Sequence, residues 1–165
     1  MKIGARSKIY ETAKIVSDGD REIDIGDDCL VGDFAFIAVK KLVMRDCSQI
    51  SPHAIVSGGG EAELRKYSVV GFGVQLITGT DTTEGKYMCE AASKEYRTII
   101  RGKITLEEGA YIGAYAIVCV SKRSPEIVIG EHAVVGSMSY IDKSIDPFTI
   151  VYPVQNLKYK IRVVV

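Results

Sequence analysis

The sequence is poor in histidine and lacks long runs of any one kind of side chain. It holds two histidines, His53 and His132, one fewer than a three-histidine zinc site needs. We therefore expect no metal. Lysine plus arginine balances aspartate plus glutamate at 21 each, with no basic block. We accordingly expect neither nucleic acid nor an acidic membrane as a partner.

No apolar run has the length of a signal peptide or of a membrane-spanning segment. The four cysteines show no CxxC spacing and are expected to be free thiols in a reducing compartment. The repeat described below also starts close to Met1. These features predict a cytoplasmic protein. A length of 165 residues with 47% hydrophobic content predicts one domain over residues 1–165.

What the sequence does contain is a period of six residues. LEEGAYIGAYAIV (Leu106–Val118) and IGEHAVVGSMSYI (Ile129–Ile141) each place an aliphatic residue at every sixth position and a small residue four places after the first two. The pattern occurs in six triplets of aliphatic residues: Ile3, Ile9 and Ile15; Ile25, Val31 and Ile37; Met44, Ile50 and Val56; Leu64, Val70 and Leu76; Leu106, Ile112 and Val118; Ile129, Val135 and Ile141.

A six-residue period fits neither an α-helix nor an alternating strand pair, but it fits a short strand followed by a corner. Three strands in each coil make a triangular prism, in which the aliphatic residues stack at the strand spacing of about 4.8 Å. Glycine or aspartate one to three places after the aliphatic residue, as in Gly26 and Asp28, suits corners with a positive φ. A β-sandwich with coincidental spacing is the alternative, and the accompanying small residues argue against it.

These triplets resemble the hexapeptide-repeat acyltransferases, whose fold is a left-handed parallel β-helix. The likeness is greatest to acetyltransferases that modify sugars for surface polysaccharides. It rests on four segments: SGGG (Ser57–Gly60), TGTDTTEGKYM (Thr78–Met88), SKEYRTIIRGKITL (Ser93–Leu106) and GSMSYIDKSI (Gly136–Ile145).

The resemblance implies an all-β, left-handed parallel β-helix of about six triangular coils with one long protruding loop. It implies a homotrimer that moves an acetyl group from acetyl-CoA to a hydroxyl or amino group of a sugar. That sugar would be nucleotide-linked or a polysaccharide precursor, and its attack on the thioester would be direct, in a cleft between subunits.

The resemblance also points to a histidine as general base, because imidazole can take a proton from a sugar hydroxyl as it attacks the thioester. The family often has that histidine where this chain has Gln49. His53 is therefore the candidate base and Gln49 a candidate substrate-binding residue, although His53 could equally be a solvent-facing corner residue. An amine acceptor would relax the need for histidine, and Asp81 is then the candidate catalytic carboxylate.

The sequence has one long interruption of the repeat, at about residues 79–98. Loops of this length in compact domains are functional or disordered, and aromatic residues here favour a packed loop. In the family such a loop projects over the cleft between subunits and helps to shape the acceptor site. By that likeness the substrate-binding candidates are Glu84, Tyr87 and Tyr96, and ordinary polar loop chemistry is the alternative.

The last two coils resemble the part of the family's fold that holds the pantetheine arm of the cofactor. Small residues would let that arm approach the backbone amides, and the matching positions are Gly113, Ala114, Gly136, Ser137 and Ser139. Three cations are candidates for the phosphates of CoA: Lys122 and Arg123 in CVSKRSPEIV, and Lys158 in a C-terminal extension over about residues 146–165. Simple corner, stacking or solvated roles are the alternatives.

A second hypothesis comes from a different class of protein. Gln49 replaces the usual histidine, and the DPFTI segment lacks the glycine and alanine of the family's C-terminal motif. The chain could therefore be a non-catalytic scaffold or binding protein that kept the prism and lost the base.

Overall fold

The computed structural model describes residues 1–153, which form a parallel β-solenoid. Short strands run around a triangular prism, and each strand pairs in parallel with the corresponding strand of the next coil. There are six coils, and β21, together with a bridge between Ile129 and Ile145, begins a seventh. The predicted all-β prism of about six coils is confirmed.

Each face of the prism is one parallel sheet. The first sheet contains β1 (Lys2–Ile3), β4 (Glu22–Ile25), β7 (Lys41–Met44), β10 (Glu61–Leu64), β15 (Lys103–Leu106) and β18 (Glu126–Ile129). The second contains β2 (Lys8–Ile9), β5 (Leu30–Val31), β8 (Gln49–Ile50), β11 (Val69–Val70), β16 (Tyr111–Ile112), β19 (Val134–Val135) and β21 (Ile150–Val151). The third contains β3 (Lys14–Ile15), β6 (Phe36–Ile37), β9 (Ile55–Ser57), β12 (Gln75–Ile77), β17 (Ile117–Cys119) and β20 (Tyr140–Ile141).

The inward side chains stack in straight columns from coil to coil. In the first sheet the register partners are Ile25, Met44, Leu64, Leu106 and Ile129, and all five are buried. Every predicted inward residue of the second to sixth coils is buried as well. In the first coil, where no earlier coil covers the stack, these residues are exposed or half-buried. The predicted hexapeptide register is therefore confirmed.

The first sheet carries a second inward column that the six-residue period does not indicate. From the second coil onward its strands are four residues long, and alternation along a strand turns two of the four side chains inward. The additional column is Ile23, Leu42, Ala62, Ile104 and Ile127, all of them buried.

Two of the three corners have a fixed length of four residues, as in Gly26–Cys29 and Gly32–Ala35. From the second coil onward, the residue three places after the inward aliphatic has a positive φ at both corners, and at Asp28 it is 55°. The expected positive φ is therefore found at Asp28 but not at the glycines that start these corners. Gly32 serves close approach instead, because a Cβ there would lie 2.6 Å from the Pro52 ring in the next coil.

The third corner, which leads from the third sheet to the first sheet of the next coil, varies in length. Ala38–Lys40 and Gly58–Gly60 are three residues long, whereas Val120–Pro125 has six. The longest connection is Thr78–Gly102, called the excursion loop below. It contains an antiparallel hairpin, β13 (Gly79–Asp81) with β14 (Ile99–Arg101), and one 3₁₀ turn, Lys94–Tyr96.

The three faces differ in the side chains that they present outward. The first sheet presents a row of alternating charge: Glu22, Lys41, Glu61, Lys103 and Glu126. The other two faces are mainly apolar, with Leu30, Gln49, Val69, Tyr111 and Val134 on the second and Phe36, Ile55, Gln75, Ile117 and Tyr140 on the third. Within residues 1–153, no helix is long and apolar enough to span a membrane.

Candidate functional site

The excursion loop is held together by its own contacts. Beyond the hairpin, the Thr82 amide donates to the Thr98 carbonyl at 2.7 Å. The Tyr87 and Tyr96 rings meet edge to face at 5.9 Å, and Lys86 Nζ lies 5.3 Å and 5.2 Å from their centroids. These contacts give the loop a defined shape, as its aromatic content predicts.

Asp81, at the end of β13, is bound by Arg97. Arg97 Nε and Nη2 donate to the two carboxylate oxygens of Asp81, each at 2.8 Å, and Arg97 Nη1 donates to the Glu90 carbonyl at 3.2 Å. The hydrogen bonds from Arg97 hold the pKa of Asp81 below its ordinary value against the opposing effect of burial. The charges of Arg97 and Arg101 lower that pKa further. Asp81 is therefore a fixed anion.

A cavity of about 590 Å³ lies between the excursion loop and the third corner of the first three coils. We call it the loop pocket. Its lining residues are Arg21, Phe36, Ala38, Ser57, Gly58, Gly59, Gly79, Thr80, Asp81, Glu90, Arg97 and Arg101.

The floor of the loop pocket depends on small residues. Gly58 has a φ of +104°, and a Cβ at this position would collide with the backbone of Gly79. Gly59 has a φ of +71°, and a Cβ there would lie 3.1 Å from Nε of Arg101. The SGGG segment therefore lets the excursion loop lie against the prism and lets Arg101 cross the floor.

Both signs of charge line the loop pocket. Arg21 forms a salt bridge with Asp18, whereas no carboxylate within residues 1–153 lies within salt-bridge distance of Arg101. Phe36 adds a ring that is 37% exposed. The pocket thus combines Arg21 and Arg101, an aromatic face and the Asp81 carboxylate that Arg97 binds.

His53 and Gln49 lie away from this pocket. His53 occupies the corner between the second and third sheets, where its exposed ring stacks on Phe34 at 5.0 Å and contacts Phe72 at 5.2 Å. Gln49 lies on the outer face of β8 and donates to the Ser51 hydroxyl at 3.0 Å. The strand β9 separates His53 from the pocket floor at Gly58. Within one chain, the structure does not bring His53 and Asp81 together.

The other candidate residues of the excursion loop also lie outside the loop pocket. Tyr87 and Tyr96 pack on one another around Lys86, and neither lines the loop pocket. Glu84 binds Lys122, whose Nζ lies 2.8 Å from each Glu84 carboxylate oxygen. A predicted acceptor residue and a predicted cofactor residue are thus paired.

The cofactor candidates divide between two edges of the third sheet. Gly113, Ala114, Gly136, Ser137 and Ser139 lie at the corner that leads into β17 and β20. Lys122 and Arg123 lie at the corner after β17. Lys158 lies outside the described residues. Within residues 1–153, no group of three or more His, Cys, Asp or Glu side chains is arranged to hold a metal ion.

Sequence reasoning missed most residues of the loop pocket. Arg97 lies sixteen positions after Asp81, and no motif links the two. Phe36 stands out in the sequence only as an aromatic residue outside the inward set. The one available signal was SGGG, which marks the floor but does not indicate which arginines cross it.

Comparison with known proteins gives the context of this geometry. No protein-family model matches the chain. A dTDP-4-amino-4,6-dideoxy-D-glucose acyltransferase from Escherichia coli is 22% identical over 151 residues, which cover 90% of this chain and 75% of that protein.

Several solved structures resemble this chain in fold. AntD, an N-acyltransferase from Bacillus cereus in complex with dTDP and 3-hydroxybutyryl-CoA, superposes with a TM-score of 0.80 at 26% identity, over 98% of this chain and 82% of that one. A variant of AntD in complex with dTDP-4-amino-4,6-dideoxyglucose and coenzyme A gives 0.81 at 26%, over 98% and 83%. A hexapeptide-repeat acetyltransferase from Vibrio cholerae in complex with acetyl-CoA matches at 0.53 and 16%, over 92% and 65%, and shows the fold alone.

The likeness to AntD extends over 98% of this chain. Together with the confirmed hexapeptide register, it favours an enzyme over a scaffold. The chain has the left-handed parallel β-helix fold and is an acyl-CoA-dependent sugar acyltransferase that resembles the hexapeptide-repeat acyltransferases.

Proposed function

We propose that this enzyme acylates the amino group of a nucleotide-linked amino sugar, of the dTDP-4-amino-4,6-dideoxyglucose type, and that the loop pocket binds this acceptor. The observation that carries the proposal is Asp81, a carboxylate fixed by Arg97 in a pocket that also holds Arg101 and Phe36. The E. coli relative, which is named for this acceptor, and the B. cereus structure that contains it support the proposal.

The pocket offers a partner for each part of such an acceptor. The Phe36 ring provides a flat apolar surface on which a nucleobase can stack. Arg21 and Arg101 are suited to the diphosphate, because a guanidinium fork can bind phosphate oxygens in pairs. Asp81 can accept hydrogen bonds from the amino group.

The chemistry suits an amine better than a hydroxyl. A neutral amine attacks the thioester carbonyl without prior loss of a proton, so a C–N bond forms, the C–S bond breaks and the CoA thiolate leaves. Positive charge develops on the nitrogen during the attack, and the fixed Asp81 carboxylate stabilises it. The nitrogen then gives up its proton, which the departing thiolate can take. No general base with a pKa near neutrality is required.

The donor is proposed to lie along the later coils. Gly113, Ala114, Gly136, Ser137 and Ser139 remain candidates to hold the pantetheine arm, and Lys122 and Arg123 to bind phosphates of CoA. Acetyl is the proposed acyl group, and 3-hydroxybutyryl, named for the B. cereus structure, is the alternative.

The assembly is proposed to be a homotrimer. Two of the three outer faces are mainly apolar, and the first is charged. The corner between the apolar faces exposes Phe34, Tyr115 and Met138 by 58%, 59% and 67%. Burial of these surfaces in subunit contacts would remove them from water. A mass in solution of one chain would contradict this proposal.

The proposed setting is the cytoplasm, in the biosynthesis of a surface polysaccharide. The four cysteines are free thiols, as expected of a reducing compartment. Nucleotide-linked sugars and acyl-CoA thioesters are the substrates that such a setting would supply.

The decisive experiment offers the purified protein dTDP-4-amino-4,6-dideoxyglucose and its 4-hydroxy counterpart, each with acetyl-CoA and with 3-hydroxybutyryl-CoA. Product masses are measured by mass spectrometry. The free thiols of the protein do not interfere with this measurement. We expect acylation of the amino sugar and none of the 4-hydroxy sugar. Acylation of the 4-hydroxy sugar alone would contradict the proposal and favour a hydroxyl acceptor with His53 as its base.

A further inference from the structure

We propose that Arg97 is a positioning residue for acyl transfer, acting through Asp81 to aim its carboxylate at the amino group of the acceptor. This inference rests on the proposed function, in which Asp81 holds that amino group. Arg97 itself has no assigned contact with the donor or the reacting atoms.

The geometry of the pair leaves Asp81 usable. Arg97 binds the carboxylate through both oxygens at 2.8 Å, and each carboxylate oxygen can accept a further hydrogen bond at its second lone pair. The Asp81 side chain keeps 18% of its surface exposed and Arg97 keeps 9%. The guanidinium therefore covers one edge of the carboxylate and leaves the other free for a ligand.

A two-pronged contact also fixes the plane of the carboxylate. A single hydrogen bond would leave Asp81 free to rotate about its last torsion, which is a broad one. The planar guanidinium fork removes that freedom. The third donor of Arg97 reaches the Glu90 carbonyl, so the guanidinium is held against the loop backbone as well.

The excursion loop is also held by contacts that do not use the Arg97 side chain. The hairpin register pairs Asp81 with Ile99, the Thr82 amide binds the Thr98 carbonyl, and Tyr87 packs on Tyr96. None of these contacts uses the Arg97 side chain. A nearly buried arginine beside the reactive carboxylate is therefore better explained by orientation of that carboxylate than by loop folding.

The test is a double-mutant cycle on the full-length enzyme, with dTDP-4-amino-4,6-dideoxyglucose and acetyl-CoA as substrates. The variants are Arg97→Gln, Arg97→Lys, Asp81→Asn and the Asp81→Asn/Arg97→Gln double variant. The matched control is Lys94→Gln. Like Arg97→Gln, it removes one positive charge from the excursion loop, but Lys94 is an exposed residue. Unfolding by urea is followed for each variant to confirm that it is folded.

We expect Asp81→Asn and Arg97→Gln each to lower kcat by about 100-fold, as small displacements of a positioned group do. The KM for the acceptor should change less. Arg97→Lys should recover only part of kcat, because an ammonium lacks the fork. In the double variant the loss should equal that of Asp81→Asn alone, since Arg97 acts through Asp81. In one additional variant, Arg97→Ala, millimolar guanidinium should partly restore kcat.

Two results would overturn the inference while leaving the proposed function intact. One is wild-type kcat in Arg97→Gln. The other is an additive loss in the double variant, which would indicate a structural role or a separate contact with substrate. Failure of the wild-type enzyme to acylate the amino sugar would instead contradict the proposed function.

Discussion

Glu84 and Lys122 join the excursion loop to the third corner of the following coil, with Lys122 Nζ 2.8 Å from each Glu84 carboxylate oxygen. Both side chains are more than half exposed, at 55% and 69%. The pair links a residue predicted to bind the acceptor with a residue predicted to bind the donor. A phosphate of CoA would have to compete with Glu84 for Lys122.

This competition predicts opposite effects from the two partners. Glu84→Gln should lower the KM for acetyl-CoA by freeing Lys122, and Lys122→Met should raise it. Neither change should alter the free energy of unfolding by more than about 1 kcal/mol, because exposed ion pairs contribute little. Initial rates against acetyl-CoA concentration provide the measurement. Equal KM values in both variants would remove Lys122 from the cofactor site.

His53 provides a second prediction. Since its ring stacks on Phe34 and contacts Phe72, His53→Phe keeps the aromatic corner and removes the titratable group. With an amine acceptor we expect turnover to stay close to that of the wild type, because no general base is needed. Steady-state rates on dTDP-4-amino-4,6-dideoxyglucose test this. Loss of turnover in a folded variant with unchanged acceptor binding would establish His53 as the base.

Leu64 tests the inward column of the first sheet. It is fully buried between Met44 and Leu106, so Leu64→Ala should lower the free energy of unfolding by about 3 kcal/mol through lost burial and a cavity. Val43→Ala, on the outer face of the same sheet, is the control and should cost less. Urea unfolding is compared at one protein concentration, because subunit association would make stability concentration-dependent. Equal losses would indicate that the column is not tightly packed.

Glu63 predicts a dependence of stability on pH. Burial raises its pKa, but the hydrogen bond from Lys103 at 2.7 Å and the charges of Lys103 and Arg65 outweigh burial and lower the pKa overall. A lowered folded-state pKa stabilises the protein above about pH 4.3, the ordinary value for glutamate, and this contribution disappears as pH falls through the folded value. Glu63→Gln should therefore reduce stability at pH 7 and should have progressively less effect below about pH 4.

Urea unfolding across that pH range is the measurement for Glu63. Glu61→Gln is the matched control, since Glu61 lies two positions earlier on β10 and forms no salt bridge within residues 1–153. A difference between Glu63→Gln and the wild type that did not change with pH would contradict the assigned role of Lys103.

The fold was predictable because each coil repeats one local rule. An aliphatic residue such as Ile50 or Val70 at every sixth position can be buried only if the chain turns a corner after each short strand. The second inward column was not predictable in the same way. Ala62 and Ile104 lie two residues before the repeat positions, on four-residue strands that follow the third corner.

The loop pocket was much less predictable than the prism. Asp81 could be chosen from its place in a long polar loop, but its partner Arg97 is fixed by the fold of that loop, which has no period. Arg101 and Phe36 come together only because the excursion loop folds back on earlier coils. Contacts between segments this far apart depend on tertiary packing, which no local pattern records.

The unequal corners have a consequence for how such an enzyme can diversify. Adding one residue to either four-residue corner would shift the following strand by one position. Its buried aliphatic side chains would then face solvent. The third corner already accommodates connections from Ala38–Lys40 to Thr78–Gly102 without disturbing the columns. Connections of different length can thus be exchanged at this one edge, and under the proposed function a graft of the excursion loop into a related prism should transfer the preference for an amine acceptor.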